Sequence, residues 1–579
     1  MKIPYLSIAN FYGNMNSFTC NFCISRTYVF IVLCHFLFSV ILFSQNQNNQ
    51  WRFGTRGGIS FNSLPPVWVS GSGMATSEGS ASVADRKTGS LLFYTDGIRV
   101  WDARDNIMPN GRDLLGGTPI LLSSTTAAVI IPKPGSETLY YIITADEQSS
   151  DNGVRYSLVD MTLNGGFGDV VVNQKNIPLL NTTSEKLETI PASNEKDIWL
   201  ITHDNPGNSF YAYLVTNSGI QEKPVISKVG GVQGNGAGHL KVSTQYNKLA
   251  CGSLFDGTME MFDFNNATGV VSNATIWKLD SRSSGFTLVY GVEFSPDGKL
   301  LYISNLNTII QYNISTGIAA EIEKTAFFLT TGGTGQPATL QLGPDEKIYV
   351  NNGTIGVIQC PNQLGAECSY NSNAFENQQG GGGYGLPKWV YYPEDLPKDL
   401  STSITYNDSC IQNSILFSII SKLPVLNATW NFGDPDSGIN NTSDSLNPSH
   451  LFSKTGTFNV QSIVTHSCGQ DTLFSVISIR NCDSTSVRCN VYVPNVFTPD
   501  SDGFNDGFQP KFSCEPDLYE CIIYNNWGEQ VFKSIDPSGI WDGRFRNSDC
   551  PSGVYVYVIK YRDSNQNIRI IAKDVLLLR

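Results

Sequence analysis

The chain has 579 residues, 51 acidic against 38 basic, for a formal net charge of −13. That balance excludes a nucleic-acid partner, whose phosphates need a basic footprint, and the length provides for roughly three or four domains. With 15% charged residues, 53 glycines, 25 tyrosines and 31 phenylalanines, the composition suits an all-β protein of tight turns and pleated aromatic faces.

The N-terminus carries an apolar run over 28–43, preceded by Arg26 and giving way to a Gln/Asn-rich stretch. The run is short for a membrane span and stands at the start, so residues 1–45 are expected to be a secretory signal peptide cut near Gln45. Met15 is an alternative start. The mature chain is then expected to have no transmembrane span.

From residue 46 to 395 one theme recurs at intervals of roughly 40 to 50 residues, the period of propeller blades. Each instance is an apolar strand, a turn with Asp, Gly or Pro, a second apolar strand, and a third rich in Tyr or Phe. Six stand at 81–101, 127–159, 187–214, 239–264, 291–312 and 338–358. A seventh is expected from 51–61 joined to a strand near 389–392, so that the two ends close the ring. Radial repetition hides most sheet edges, which favours a propeller over an open sheet. Phe294-Ser-Pro-Asp-Gly298 resembles the turn of WD40-like and YVTN-type propellers.

Catalytic constellations in this region are sparse. His203 and His239 are its only histidines, both at strand ends, and no Gly-x-Ser-x-Gly elbow accompanies them as a serine hydrolase would require. Glycoside cleavage needs only two acids across a cleft. Glu78, Glu185, Glu188 and Glu293 stand just before or inside apolar strands, where burial can raise a carboxyl pKa; no catalytic pair is assigned. The glycine-rich stretches 230–236 and 380–383 follow no strand-to-helix pattern, so a phosphate loop is not expected.

A proline- and acid-rich linker at 393–399 leads into a smaller unit, 396–484. Trp430-Asn-Phe-Gly-Asp434, Asn447-Pro-Ser-His-Leu-Phe452 and Gly456-Thr-Phe-Asn-Val460 resemble a PKD domain, which implies an Ig-like sandwich used as a spacer. Its Trp and Phe residues are expected in the core between the sheets. Of thirteen cysteines, ten follow residue 45 and seven follow Leu400. In an exported chain these imply a disulfide framework in the C-terminal third. Cys360 and Cys368 are spaced to close a short loop, whereas Cys251, in an apolar run, is expected to be a buried thiol.

The last segment, 485–579, alternates apolar and polar residues at Glu520-Cys-Ile-Ile-Tyr524 and Val554-Tyr-Val-Tyr-Val-Ile559, with turns at Asn525-Asn-Trp-Gly528 and Pro551-Ser-Gly553, the signature of short antiparallel strands in a small sandwich. Asp500, Asp502, Asn505 and Asp506 gather oxygen ligands around Gly503. Two readings stand side by side: a calcium site, though not with EF-hand spacing, or an Asx-rich turn bonding its own backbone.

Val493-Pro-Asn-Val-Phe-Thr-Pro499, Gly503-Phe-Asn-Asp-Gly507, Gly539-Ile-Trp-Asp-Gly543 and the terminal Val575-Leu-Leu-Leu-Arg579 resemble, in order, the gliding-motility-associated C-terminal domain, the type B sorting domain of Bacteroidetes proteins. Trp51-Arg-Phe-Gly54 and Tyr384-Gly-Leu-Pro387 resemble the large N-terminal region of some proteins so sorted. The resemblance implies export by the type IX secretion system, the secretion machinery as partner, and a place at the cell surface or beyond. The expected function is a non-catalytic binding or adhesion module for an extracellular glycan or protein. A polysaccharide hydrolase and a structural component of the gliding apparatus are the alternatives.

Overall fold

The computed structural model describes residues 46–579 except 118–123, 148–151, 182–183, 256, 280–287, 306–307, 331–337, 376–379, 396–401, 422–424, 483–490, 501–504, 514–515, 517, 526–528, 547 and 563–567. The expected signal peptide lies outside the described residues. The chain divides into two compact units, Met1–Lys398 and Asp399–Arg579.

The first unit is a ring of seven antiparallel sheets in chain order. Their inner strands are Gln50–Phe53, Ala81–Ala84, Ala128–Pro132, Leu187–Pro191, Leu240–Val242, Val292–Phe294 and Thr339–Leu342. The six repeats expected from sequence are blades 2 to 7. Their inner strands are almost wholly buried, because each is covered by both neighbouring blades. Burial on both faces does not make them apolar throughout: Glu188, Lys241, Glu293 and Gln341 alternate with apolar neighbours in four of them and are buried all the same. A separate apolar cluster joins each neighbouring pair of blades: Val83, Phe93 and Ile142 between blades 2 and 3, for example, and Leu301, Ile303 and Met261 between 5 and 6. Trp51 and Phe53 of blade 1 pack with Tyr349 and Val357 of blade 7, which closes the ring. The Ser295-Pro-Asp-Gly298 turn forms as its residues demand. Asp297 Oδ1 accepts from Ser295 Oγ (2.7 Å) and from the Lys299 N–H (3.1 Å), while Gly298 takes a φ of 69°, the left-handed region open to glycine.

Closure differs from the expected strand pairing. Blade 1 forms from 50–75 alone, and residues 389–392 make no strand. They run instead along the axis of the ring. The Gly385 carbonyl accepts from Asn351 Nδ2 of blade 7 (2.9 Å). Lys388 then reaches Glu188 of blade 4 (3.1 Å) and the Leu240 carbonyl of blade 5, and Trp389 Nε1 donates to the Leu342 carbonyl of blade 7 (2.6 Å). The Val390 N–H donates to Asn48 Oδ1 (2.8 Å), and the hydroxyls of Tyr392 and Tyr140 of blade 3 meet at 3.2 Å. Only a segment on the axis can touch so many blades within eight residues. It enters beside the starts of the inner strands and leaves beside their ends, where Arg86 lies over the Tyr392 ring and pairs with Asp395 (3.2 Å).

The second unit holds two all-β parts. In the first, Ser403–Tyr406, Ile415–Ile420 and Ser449–His450 face a sheet ordered Thr442–Ser443, Val425–Asn431, Gly456–His466, Gly469–Ile479. Phe417, Trp430, Phe432, Phe452 and Phe458 fill the core between them. Cys410 and Cys482 form a disulfide. In the second, five strands run in the order Val496–Phe497, Ile568–Leu577, Gly553–Arg562, Tyr519–Tyr524, Gln530–Ser534. Phe497, Phe508, Trp541, Tyr555 and Tyr557 line its core. Cys251 is a buried thiol. Cys368 corrects the expected Cys360–Cys368 loop: it stays a buried thiol, pushed up to about 11 by burial, and the loop closes instead through the Cys360 N–H donating to the Cys368 carbonyl (3.0 Å).

Candidate functional site

The four acids singled out in sequence fall into two pairs. Glu188 and Glu293 point to the axis and are neutralised there. Lys388 bonds Glu188 at 3.1 Å, and Lys241 bonds Glu293 at 2.7 Å and Gln341 Oε1 at 2.6 Å. All four charged side chains are 5% exposed or less. Burial brings Lys388 down to about 8, opposed by Glu188. The Glu188–Lys388 pair ties the axial segment to blade 4, and the Lys241–Glu293 pair ties blade 5 to blade 6; breaking either would leave a buried charge uncompensated.

Glu78 and Glu185 come together at the mouth, where the inner strands begin. Glu185 is buried, and its Oε2 accepts from the Thr125 N–H (2.8 Å) and hydroxyl (2.6 Å) across the blade boundary. Glu78 is half-buried. Its carboxyl is pushed up to about 8, first by burial and then by the Glu185 charge, against the lowering influence of the nearby Tyr290 phenol. Two acids sharing a low-dielectric site cannot both ionise cheaply, so Glu78 holds a proton at neutral pH. The Tyr290 phenol lies against Glu78 and Thr125 and is itself driven well above its ordinary value by burial and Glu78. Gly385 seals the floor: a Cβ there would lie 1.8 Å from the Glu78 carbonyl oxygen, so no other residue fits. A protonated carboxyl, a phenol and a buried carboxylate thus stand at the mouth above a filled axis.

Lys186, beside Glu185, turns away and donates to the carbonyls of Gly236 (3.2 Å) and Ala237 (3.0 Å); burial lowers its pKa. His239 bonds Thr339 Oγ1 (3.1 Å) and is held well below its ordinary value by burial and by Lys388, Lys241 and Lys186. His203 Nδ1 meets the Asp204 carbonyl (2.7 Å), and burial with Lys186 brings it to about 4. Both imidazoles are neutral, with these contacts inside the fold. Thr125, Tyr290 and Lys388 were not singled out from sequence; a lysine inside Leu386-Pro-Lys-Trp389, in a chain of few charges, was the available signal for the last.

In the C-terminal part, the Thr498 N–H donates to the Asn505 carbonyl (2.9 Å) and Asn505 takes a φ of 55°. Asp500 is exposed, Asp506 is half-buried, and Asp502 lies outside the described residues. Among the described residues no group of three or more His, Cys, Asp or Glu side chains is placed to hold a metal ion. No described helix is long and apolar enough to cross a membrane.

No curated protein sequence matches the chain. Among solved structures, the chain is similar to Hsv2 of Kluyveromyces lactis (11% identity, 54% of this chain and 90% of that one, TM-score 0.30). It is similar also to a luciferin-regenerating enzyme (14%, 55% and 95%, 0.31) and to the Dos1 propeller (12%, 46% and 65%, 0.31). At these TM-scores the likenesses carry no argument, and the blades rest on the sheets themselves. Residues 401–480 match the family described as PKD domain, and residues 491–573 match the CHU_C Type IX secretion signal domain. The chain therefore carries a PKD domain and a type IX sorting domain behind its propeller, and is a type IX export substrate bound for the cell surface or beyond.

Proposed function

We propose that the propeller is the working module of this exported protein and that it binds an extracellular glycan at the mouth where Glu78, Glu185 and Tyr290 meet. The protonated Glu78 carboxyl carries the reading. On its own half-buried head it offers both a hydrogen-bond donor and an acceptor oxygen, the pairing that a sugar hydroxyl, itself donor and acceptor, can satisfy. The filled axis favours contact across a face over passage through a channel. The PKD domain serves as spacer and the sorting domain as address.

The same pair of acids favours a second reading, a polysaccharide hydrolase in which Glu78 is the general acid. Against it stand the burial of Glu185 and the two bonds Thr125 gives its oxygen, which suit a supporting carboxylate better than one open to water or sugar. The test is incubation of the mature chain with an array of polysaccharides, with retention and released sugars both followed. Retention without products supports the binding reading, and released sugars overturn it. The Glu78→Gln variant sharpens the outcome, since it keeps a hydrogen-bonding head but has no transferable proton: a binding protein keeps its retention, whereas a hydrolase loses activity by about 100-fold or more. Retention of proteins but of no polysaccharide would replace the glycan by a protein ligand.

A further inference from the structure

We propose that Lys241 and Gln341 join their side chains in an amide bond, with Glu293 carrying the protons, so that blades 5 and 7 are fastened covalently inside the ring. The three groups come from the inner strands Leu240–Val242, Thr339–Leu342 and Val292–Phe294. Lys241 Nζ stands 2.6 Å from Gln341 Oε1 and 2.7 Å from Glu293 Oε2. One carbonyl bond of about 1.2 Å separates that amide oxygen from its carbon, so the amine lies within about 3.8 Å of the Cδ it attacks. None of the three side chains is more than 4% exposed, which keeps water, the competing nucleophile, away from the acyl carbon. Each is also held from its far side. Glu293 accepts from the Leu342 N–H (2.8 Å) and the Phe294 N–H (3.1 Å), while Gln341 Nε2 donates to the Leu342 carbonyl (3.1 Å). An amine and an acyl group kept in contact this way react at an effective concentration far above that of a free amine. Among the described residues, Lys388 meets a carboxylate and a backbone carbonyl, and Lys186 two backbone carbonyls; of these three buried lysines Lys241 is the one set against a side-chain amide.

The step balances within the cluster. Glu293 Oε2 takes a proton from the Lys241 ammonium, and the freed lone pair on Nζ forms the bond to Gln341 Cδ. Glu293 then gives its proton to Gln341 Nε2 and takes a second from Nζ as the Cδ–Nε2 bond breaks. One ammonia leaves, and Glu293 ends as a neutral acid. No oxidant is consumed. A buried ion pair is replaced by a neutral amide and a neutral carboxyl, so no charge is left uncompensated. Lys388 favours the same direction, because the Lys241 charge opposes its ammonium more than the Glu293 charge supports it.

The experiment purifies the folded mature chain, then denatures, reduces and digests it with trypsin for peptide mass mapping. An amide at Lys241 blocks cleavage there, so residues 229–248 should appear joined to residues 325–347, at their combined mass less one ammonia. Gln341→Met, close in volume but without an acyl carbon, is the unlinked reference and should give 229–241, 242–248 and 325–347 as separate peptides. Glu293→Gln keeps the amine and the carboxamide but has no carboxyl to move protons. At matched times after synthesis its joined fraction should be about tenfold or more below that of wild type. Separate peptides at full mass from the folded wild type overturn the proposal, and so does a joined peptide that maps to another pair of residues. Joining in Glu293→Gln to the wild-type extent at early times overturns the role of Glu293 and leaves the cross-link standing. The wild-type and Gln341→Met maps decide the matter if Glu293→Gln does not fold.

Discussion

Glu78 and Glu188 are both acids at the inner strands of a propeller, yet their neighbours give them opposite chemistries. Glu188 meets an ammonium at 3.1 Å. Glu78 meets another carboxylate and takes up a proton. Removing one partner of a buried pair leaves the other uncompensated, so Glu188→Ala should cost about 3–5 kcal/mol, measured by denaturant unfolding, with Lys388→Ala costing a similar amount. Glu78 makes a different prediction. Its folded pKa, about 8, lies above its ordinary 4.5, so the folded chain binds more protons than the unfolded one between those values, and stability falls as pH rises through that window. The difference in melting temperature between wild type and Glu78→Gln should therefore shift against wild type from about pH 5 to pH 8 and level off above; a difference independent of pH would show that the carboxyl is not raised. The acids were legible in the sequence, but their fates were not, because the groups that decide them stand far along the chain. Lys388 lies 200 residues from Glu188, and Thr125 lies 60 from Glu185.

At the scale of elements, local pattern was legible wherever it repeats. A buried inner strand followed by a hairpin leaves the same trace at 187–214 as at 291–312, which is why blades 2 to 7 stand where their periods put them. The closing segment has no period. It runs alone down the axis, and nothing in Leu386-Pro-Lys-Trp-Val390 distinguishes a plug from an edge strand until the blades it touches are in place. The PKD domain shows the opposite case, a motif whose aromatic residues could be assigned to the core at once. Asp434, the last residue of its Trp-Asn-Phe-Gly-Asp run, is buried. It accepts from the Ser453 N–H (2.8 Å), from the Ser453 hydroxyl (2.5 Å) and from His450 Nε2 (3.2 Å), and the His450 ring stacks on Phe432 at 4.2 Å. The Cys410–Cys482 bond spans 72 residues around this core. A loop of that length loses enough unfolded-state entropy for the cross-link to contribute about 4 kcal/mol. The Cys410→Ser, Cys482→Ser double variant should unfold at correspondingly lower denaturant with its secondary structure intact, and an unchanged midpoint would place the stability of the domain wholly in its aromatic core.

At the scale of the whole propeller, its ends share no strand and meet through two sets of contacts, the packing of the first blade on the last and the ties to the residues before the linker. Most propeller-like rings resist opening through blade-to-blade packing; here the first and last blades also meet through Trp51, Phe53, Tyr349 and Val357, but the N-terminal Gln47 and Asn48 are tied to the axial segment, Gln47 to Asp395 at 2.7 Å and Asn48 to the Val390 carbonyl at 3.1 Å. The consequence is testable with two truncated chains. One ending at residue 395 keeps the axial segment and should unfold in a single cooperative transition. One ending at residue 384 loses Lys388, Trp389, Tyr391 and Tyr392 together, leaving Glu188 buried without its ammonium, and should show a lower and broader transition with greater susceptibility to protease. Equal stability of the two would mean that blade packing alone closes the ring and that the axial segment is a passenger. If the shorter chain proves unstable while still retaining polysaccharide at low temperature, the segment is a structural latch and the mouth binds independently of it; if retention is lost with the segment, Gly385 and its neighbours form the floor on which the ligand rests.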